Sequence, residues 1–132
     1  MTVPLPRIVV TAAVVERDGS FLVTRRLEGS HLEGCWEFPG GKCDPGETHE
    51  ACLAREMMEE LDAGIEVVER IMSVEHEYPG RIVELHFFKC TLTSDLRPLL
   101  GQEMRWVARQ DLHTLEFPAA DATLIESLTT NP

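Results

Sequence analysis

The sequence is short of positive charge. Lys and Arg together number 12 in 132 residues, against 23 Asp and Glu, for a formal net charge of −11. A protein that grips a nucleic-acid polymer neutralises phosphates with a basic patch, and this composition does not supply one. The same shortage argues against binding to an anionic membrane surface. No apolar run is long enough to cross a bilayer. Ile8 to Val15 has the length of a signal-peptide core. It is rich in β-branched residues, however, and Glu16 and Arg17 follow without a small-residue cleavage pattern, so it reads as a buried strand. The cysteines are Cys35, Cys43, Cys52 and Cys90, with no C-x-x-C pair, which argues against a zinc knuckle. A chain of this size buries a core without disulfides, so free thiols in a reducing cytoplasm are expected. Repeats, low-complexity tracts and linkers are also missing, and residues 1–132 read as one domain.

What is present is a series of short strands and two helices. Residues 7–16 read as a strand, Asp18-Gly19 as a turn, and Phe21–Thr24 as the returning partner of a hairpin. Trp36–Phe38 is a short strand before Pro39-Gly40-Gly41. Thr48 to about Leu61 reads as a helix, with Thr48 as N-cap, Glu50 in the first turn and Gly64 just past its end. Ile65–Glu77 and Ile82–Leu92 are strands joined by the turn Tyr78-Pro79-Gly80-Arg81, and Met104–Ala108 is another. A last helix begins near Pro118 and runs to about Leu128. Such a pattern implies a mixed sheet with helices packed on its faces.

The first helix carries most of the charge. Residues 44–62 hold seven acidic residues and one basic, a net −6 and more than half of the whole chain's excess. On a helical wheel Ala51, Ala54, Met57, Met58 and Leu61 share one face, and Glu56, Glu59 and Glu60 share the other. Carboxylates at this spacing repel one another, and only Arg55 is near enough to relieve them. The plain reading is a solvated acidic face. The sharper reading is a site for a hard divalent cation, which takes oxygen ligands from carboxylates and substrate phosphates. A metal-bridged polyanion is the ligand class this acidity still permits.

The stretch Gly41 to Glu47, seven more residues, then Arg55-Glu56-Met57-Met58-Glu59-Glu60-Leu61 resembles the signature of the nudix family. The match departs only at its end, where Asp62-Ala63 replaces Gly and an aliphatic residue. Gly64-Ile65 follows at once, which reads as a two-residue insertion. The resemblance covers nearly the whole chain and is closest to MutT-type pyrophosphohydrolases. It is carried also by Thr24-Arg25-Arg26, Glu37-Phe38-Pro39-Gly40-Gly41-Lys42, Tyr78-Pro79-Gly80-Arg81 and Phe117-Pro118-Ala119-Ala120-Asp121. It implies an α/β class protein with the nudix fold, an α/β/α sandwich with a mixed β-sheet. It implies Mg²⁺-dependent hydrolysis of a nucleoside triphosphate to monophosphate and pyrophosphate, with Mn²⁺ as an alternative ion. The substrates suggested are cytidine-type or oxidised nucleotides, and the protein is expected in the cytoplasm as a monomer or homodimer.

The resemblance also assigns roles. Glu56, Glu59 and Glu60 would hold the metal, with a backbone carbonyl of Gly40 or Gly41, where glycine permits close approach. Glu47 and Arg55 would pair and hold the loop against the helix. Arg26 and Lys42 would face phosphate oxygens, Tyr78 and His31 would line the pocket, and Arg81 and Phe38 are further substrate-binding candidates. In many relatives a Glu in the loop before the Arg-Trp strand orients the attacking water, but Leu100 stands at that position here. Glu103 is the nearest carboxylate, and Glu59 is the preferred alternative. Asp121 falls where relatives place a polar residue against the nucleobase, unless it serves only to cap the last helix. An ionised Asp accepts hydrogen bonds and donates none, so it would select a donor-rich edge such as that of cytosine or guanine. Two other functions stay open: cleavage of ADP-ribose, or a binding module that has lost catalysis.

Overall fold

The apolar run at the start of the chain is divided between two sheets. In the computed structural model, which describes residues 3–130, β1 (Arg7–Val14) ends where Val15 turns the chain into β2 (Glu16–Arg17). The remaining elements are β3 (Ser20–Arg25), β4 (Trp36–Glu37), β5 (Gly40–Lys42), α1 (His49–Leu61), β6 (Ile65–Tyr78), β7 (Arg81–Leu92), β8 (Met104–Ala108) and α2 (Ala122–Thr130). The larger sheet is mixed, in the order β5-β1-β7-β6, with β1 and β7 parallel from Arg7 opposite Ile82 to Val14 opposite Lys89. The second sheet is antiparallel, β2-β3-β4 with β8 added on β3. The hairpin turn expected at Asp18-Gly19 is present, with positive φ at both residues. Its first arm is only β2, because β1 is an inner strand of the other sheet. That position explains the unbroken apolar run: a strand covered on both faces does not alternate.

Helix α1 starts as the sequence indicates, with Thr48 Oγ1 accepting from the Ala51 amide at 3.1 Å. Its buried stripe is not the one drawn from the wheel. Cys52, Leu53, Met57 and Leu61 are buried, while Ala51, Ala54 and Met58 are exposed. Small and flexible side chains counted as apolar drew the wheel's face too far round. The true stripe packs on Ala13, Val15, Leu22, Phe88 and Cys90. Its centre lies close to the azimuth of Glu56 and Glu60, so these carboxylates are carried toward the sheet rather than away from it.

The helix ends at Asp62, not Gly64. Asp62 takes the left-handed conformation (φ 51°, ψ 35°) that closes a helix, and its amide bonds back to Met58 at 3.1 Å. No two-residue insertion is needed: Asp stands in the turn position where Gly is usual. Gly64 serves another purpose, since a Cβ there would strike Thr93 Oγ1. Asp62→Ala is expected to destabilise the protein by about 1 kcal/mol, because Ala tolerates the left-handed region poorly. Asp62→Gly should not. Urea melts of both variants check this.

The last helix is delayed. Ala119–Asp121 forms a 3-10 turn after Pro118, and α2 begins only at Ala122. The turn is tied down by Tyr78, whose hydroxyl accepts from the Ala120 amide at 3.0 Å.

Candidate active site

A cleft of about 500 Å³ opens between the larger sheet, α1 and the 118–121 turn. Val10, Ala12, Leu85 and Phe87 give it an apolar floor. Of the residues singled out from the sequence, it brings together Arg26, His31, Phe38, Gly40, Gly41, Lys42, Glu56, Glu60, Tyr78, Arg81 and Asp121. Arg26 is fixed in the wall by its Nε bond to the His31 carbonyl at 2.7 Å and by Glu37 at 3.3 Å. Phe38 stacks on Phe117 with centroids 5.6 Å apart, and His31 meets Tyr78 edge-on at 5.3 Å.

Four assigned residues lie outside the lining. Glu59 is 57% exposed and turned to Arg55 at 3.1 Å. Glu103 sits off the cleft, paired with Arg25 at 3.0 Å, and so does not take the place that Leu100 vacates. Arg55 and Glu47 form the latch behind the cleft. Arg55 Nε and Nη2 donate to the two Glu47 oxygens at 2.8 and 2.9 Å, and Nη1 donates to Glu56 at 2.8 Å. The guanidinium beside Glu47 holds that carboxyl down at about 2. The sequence reading missed Glu37 as a cleft residue. Its signal was there in the alternation of β4, which buries Trp36 and turns Glu37 the other way.

The glycines carry a local argument. A Cβ on Gly41 would occupy the space of the Glu56 carboxylate, and one on Gly40 would overlap the Thr11 backbone. Chain and carboxylate therefore approach each other only because both positions lack side chains. The Gly41 carbonyl faces the Cys52 thiol at 3.7 Å, which leaves Gly40 as the better source of a backbone ligand.

The electrostatics are those of a site short of cations. Glu56, 13% exposed, is pushed up by burial against the pull of Arg55. Burial, then the neighbouring carboxylates Glu56 and Glu37, push Glu60 to about 7. No side chain among the described residues donates a hydrogen bond to its carboxylate or pairs with it; Gln102 reaches only its backbone carbonyl. Half-buried carboxylates with one shared guanidinium make a hard, oxygen-only donor set that suits a divalent cation.

Comparison with known proteins decides the family. The NUDIX domain family profile matches residues 10–127. The chain belongs to the nudix hydrolase family. This nudix hydrolase is 35% identical to a CTP pyrophosphohydrolase of Escherichia coli K12 over 119 residues, covering 89% of this chain and 88% of that one. It is 36% identical over 121 residues to an 8-oxo-dGTP diphosphatase of Haemophilus influenzae, covering 90% and 89%. Its fold is similar to the crystal structure of the MutT protein from Methanosarcina mazei Go1, with a TM-score of 0.86, 26% identity, and coverage of 98% and 97%. Nudix hydrolases generally use a divalent metal, and the donor set just described fits one.

Asp121 is the other distinctive group. It is 4% exposed and lines the cleft, and its carboxyl has no protein hydrogen-bond partner among the described residues. Burial, reinforced by Glu37, raises it to about 7. Asp121 directly precedes α2, where a cap would sit, but its carboxyl accepts no amide hydrogen bond among the described residues and faces the cleft instead.

Proposed function

We propose that this nudix hydrolase cleaves (deoxy)nucleoside triphosphates to monophosphate and pyrophosphate in the cytoplasm, with Mg²⁺ as its ion and Mn²⁺ as a substitute. We take the working unit to be the single domain 1–132, as a monomer or homodimer. The observation that carries the nucleotide reading is the unpartnered carboxyl of Asp121. No wholly buried side-chain oxygen or nitrogen among the described residues lacks a partner, so the Asp121 carboxyl reaches the cleft surface, and the same lining holds carboxylates and the cationic side chains of Arg26, Lys42 and Arg81. A base at Asp121 and phosphates near Arg26 and Lys42 make use of both kinds of group.

The names of the similar proteins point to cytidine and oxidised guanine nucleotides. Glu56, Glu59 and Glu60 would hold the ion, with the Gly40 carbonyl as a backbone ligand. The chemistry it would supply there is neutralisation of phosphate charge and a lowered pKa of water. Arg26 and Lys42 bind and orient phosphate oxygens, which fixes the attacked phosphorus relative to the helix. The Glu47–Arg55 latch aligns Glu56 behind the reaction. A helix glutamate would accept the proton of the attacking water; Glu59, favoured from the sequence, is turned to Arg55 outside the lining and takes this role only on leaving that partner. The apolar floor and Phe38 exclude bulk water from the base.

Asp121 also refines the base-reading argument. With its carboxyl near 7 it is not purely an acceptor: below that pH it carries a proton and donates, and above it only accepts. The relative rates for CTP, dCTP, 5-methyl-dCTP, 8-oxo-dGTP and ADP-ribose should therefore change between pH 6 and pH 8. Asp121→Asn should abolish that pH dependence and reorder the panel more than it lowers the best rate. If wild type and variant rank the panel identically at both pH values, Asp121 does not read the base. A preference for ADP-ribose would overturn the triphosphate reading itself.

A further inference from the structure

Cys43 follows β5 and Cys52 lies one turn into α1, nine positions later. The fold brings both against Glu47. One ligand atom from each, two Sγ and a carboxylate oxygen, lie within 4.8 Å of one another, and no other such group of three occurs among the described residues. Thr11 Oγ1 is 3.2 Å from Cys52 Sγ, and the Gly41 carbonyl is 3.7 Å from the same sulfur. All four cysteines are free, and Cys35 and Cys90 lie outside the cluster.

Separations under 4.8 Å admit a tetrahedral site. Zn–S bonds of about 2.3 Å place neighbouring ligand atoms roughly 3.5–4 Å apart. Two sulfurs and one carboxylate select a thiophilic ion over Mg²⁺, which takes oxygen ligands. Cys52 is fully buried, while Cys43 and Glu47 are only partly covered, so an ion has a way in from their side. We propose that Cys43, Cys52 and Glu47 form a second metal site, for a thiophilic divalent cation of the Zn²⁺ class, outside the cleft lining and next to Thr11 and Gly41 of its wall.

The site is wired to the cleft through one guanidinium. Glu47 is the bidentate partner of Arg55, which also grips Glu56. An ion that draws the Glu47 carboxylate toward the sulfurs weakens the fork that sets the helix glutamates. Occupation therefore slows hydrolysis, a consequence that rests on the function proposed above. The binding itself does not.

The probe is Co²⁺ added to the reduced, metal-free full chain. A near-ultraviolet thiolate-to-cobalt charge-transfer band is expected, saturating at a single ion per chain, unchanged in Glu60→Gln and lost in both Cys43→Ala and Cys43→Ser. No band in the wild type, survival of the band in both Cys43 variants, or its loss in Glu60→Gln overturns the site. With Mg²⁺ in excess, Zn²⁺ is expected to slow wild-type hydrolysis about tenfold and to spare Cys43→Ala. Equal slowing of the two overturns the link through Arg55. The cobalt result stands whether or not triphosphates prove to be the substrate, which separates failure of this proposal from failure of the functional one.

Discussion

Glu60→Gln should lower the Mg²⁺-dependent release of pyrophosphate on the order of 100-fold or more while making the metal-free protein more stable above neutral pH. The two effects have one cause. Glu60 ionises in a half-buried place beside Glu56 and Glu37, with no cation of its own. Unfolded, it ionises near 4.5; folded, it keeps its proton to about 7. The metal-free fold thus has the full benefit of the raised value below pH 4.5 and loses it as pH rises through 7. The Gln variant has no such loss, so at pH 8 it should melt higher than the wild type. Added Mg²⁺ should raise the melting temperature of the wild type and leave the variant nearly unmoved. A carboxylate kept only for structure would give the opposite pattern: a less stable variant with its rate intact. Either of those results removes Glu60 from the metal site.

Arg55→Lys is the second large effect. The substitution keeps the charge, and still kcat should fall on the order of 10- to 100-fold with little change in KM. Arg55 spreads one planar group over Glu47, Glu56, Glu59 and the Lys42 carbonyl, with donor distances between 2.8 and 3.1 Å. An ammonium has three donors and no fork, and it cannot reach these partners in their present places. Acid unfolding supplies an independent reading. Glu47 is held to about 2, so its contribution to the wild type is complete above 4.5, declines below that and is gone once pH has fallen through 2. In Arg55→Lys the contribution should be smaller and should be exhausted at a higher pH. If rate and acid midpoint both match the wild type, Arg55 is a surface partner and not a positioning residue.

Much of this was legible in the sequence because its signals are local. Thr48 caps α1 because its hydroxyl reaches an amide three residues on. The acidic run from Asp44 to Asp62 could be located by counting. Arg26, Lys42, Arg81 and Asp121, chosen from their match to a family pattern, all line one cleft. What was hidden depends on packing between distant segments. The azimuth of α1 is set by Ala13, Leu22 and Phe88, which no wheel includes. The break at Val15 follows from which sheet claims β1, and that is decided by β7, some seventy positions later in the chain. Asp62 resembled the start of an insertion because Gly64 offered a more familiar helix stop two positions on. Cys43 and Cys52 matched no metal-ligand spacing, and only the apposition of β5 and α1 makes them neighbours.

The segment after β7 is tied to the end of α1. Three donors from it reach the end of α1: Leu99 N and Gln102 Nε2 on the Glu60 carbonyl at 2.9 and 3.1 Å, and Arg97 N on the Leu61 carbonyl at 2.8 Å. Surface loops generally absorb changes in length without consequence. This one does not, because it is a clasp on Glu60, whose carboxylate is a proposed metal ligand. Anyone shortening, lengthening or grafting residues 93–103 to alter substrate choice is also adjusting the tilt of Glu60. Thr93 and Ser94 are themselves bonded to Gly64 just past the helix and Leu96 packs on the core, so the whole segment from Thr93 to Gln102 is a brace on the end of α1.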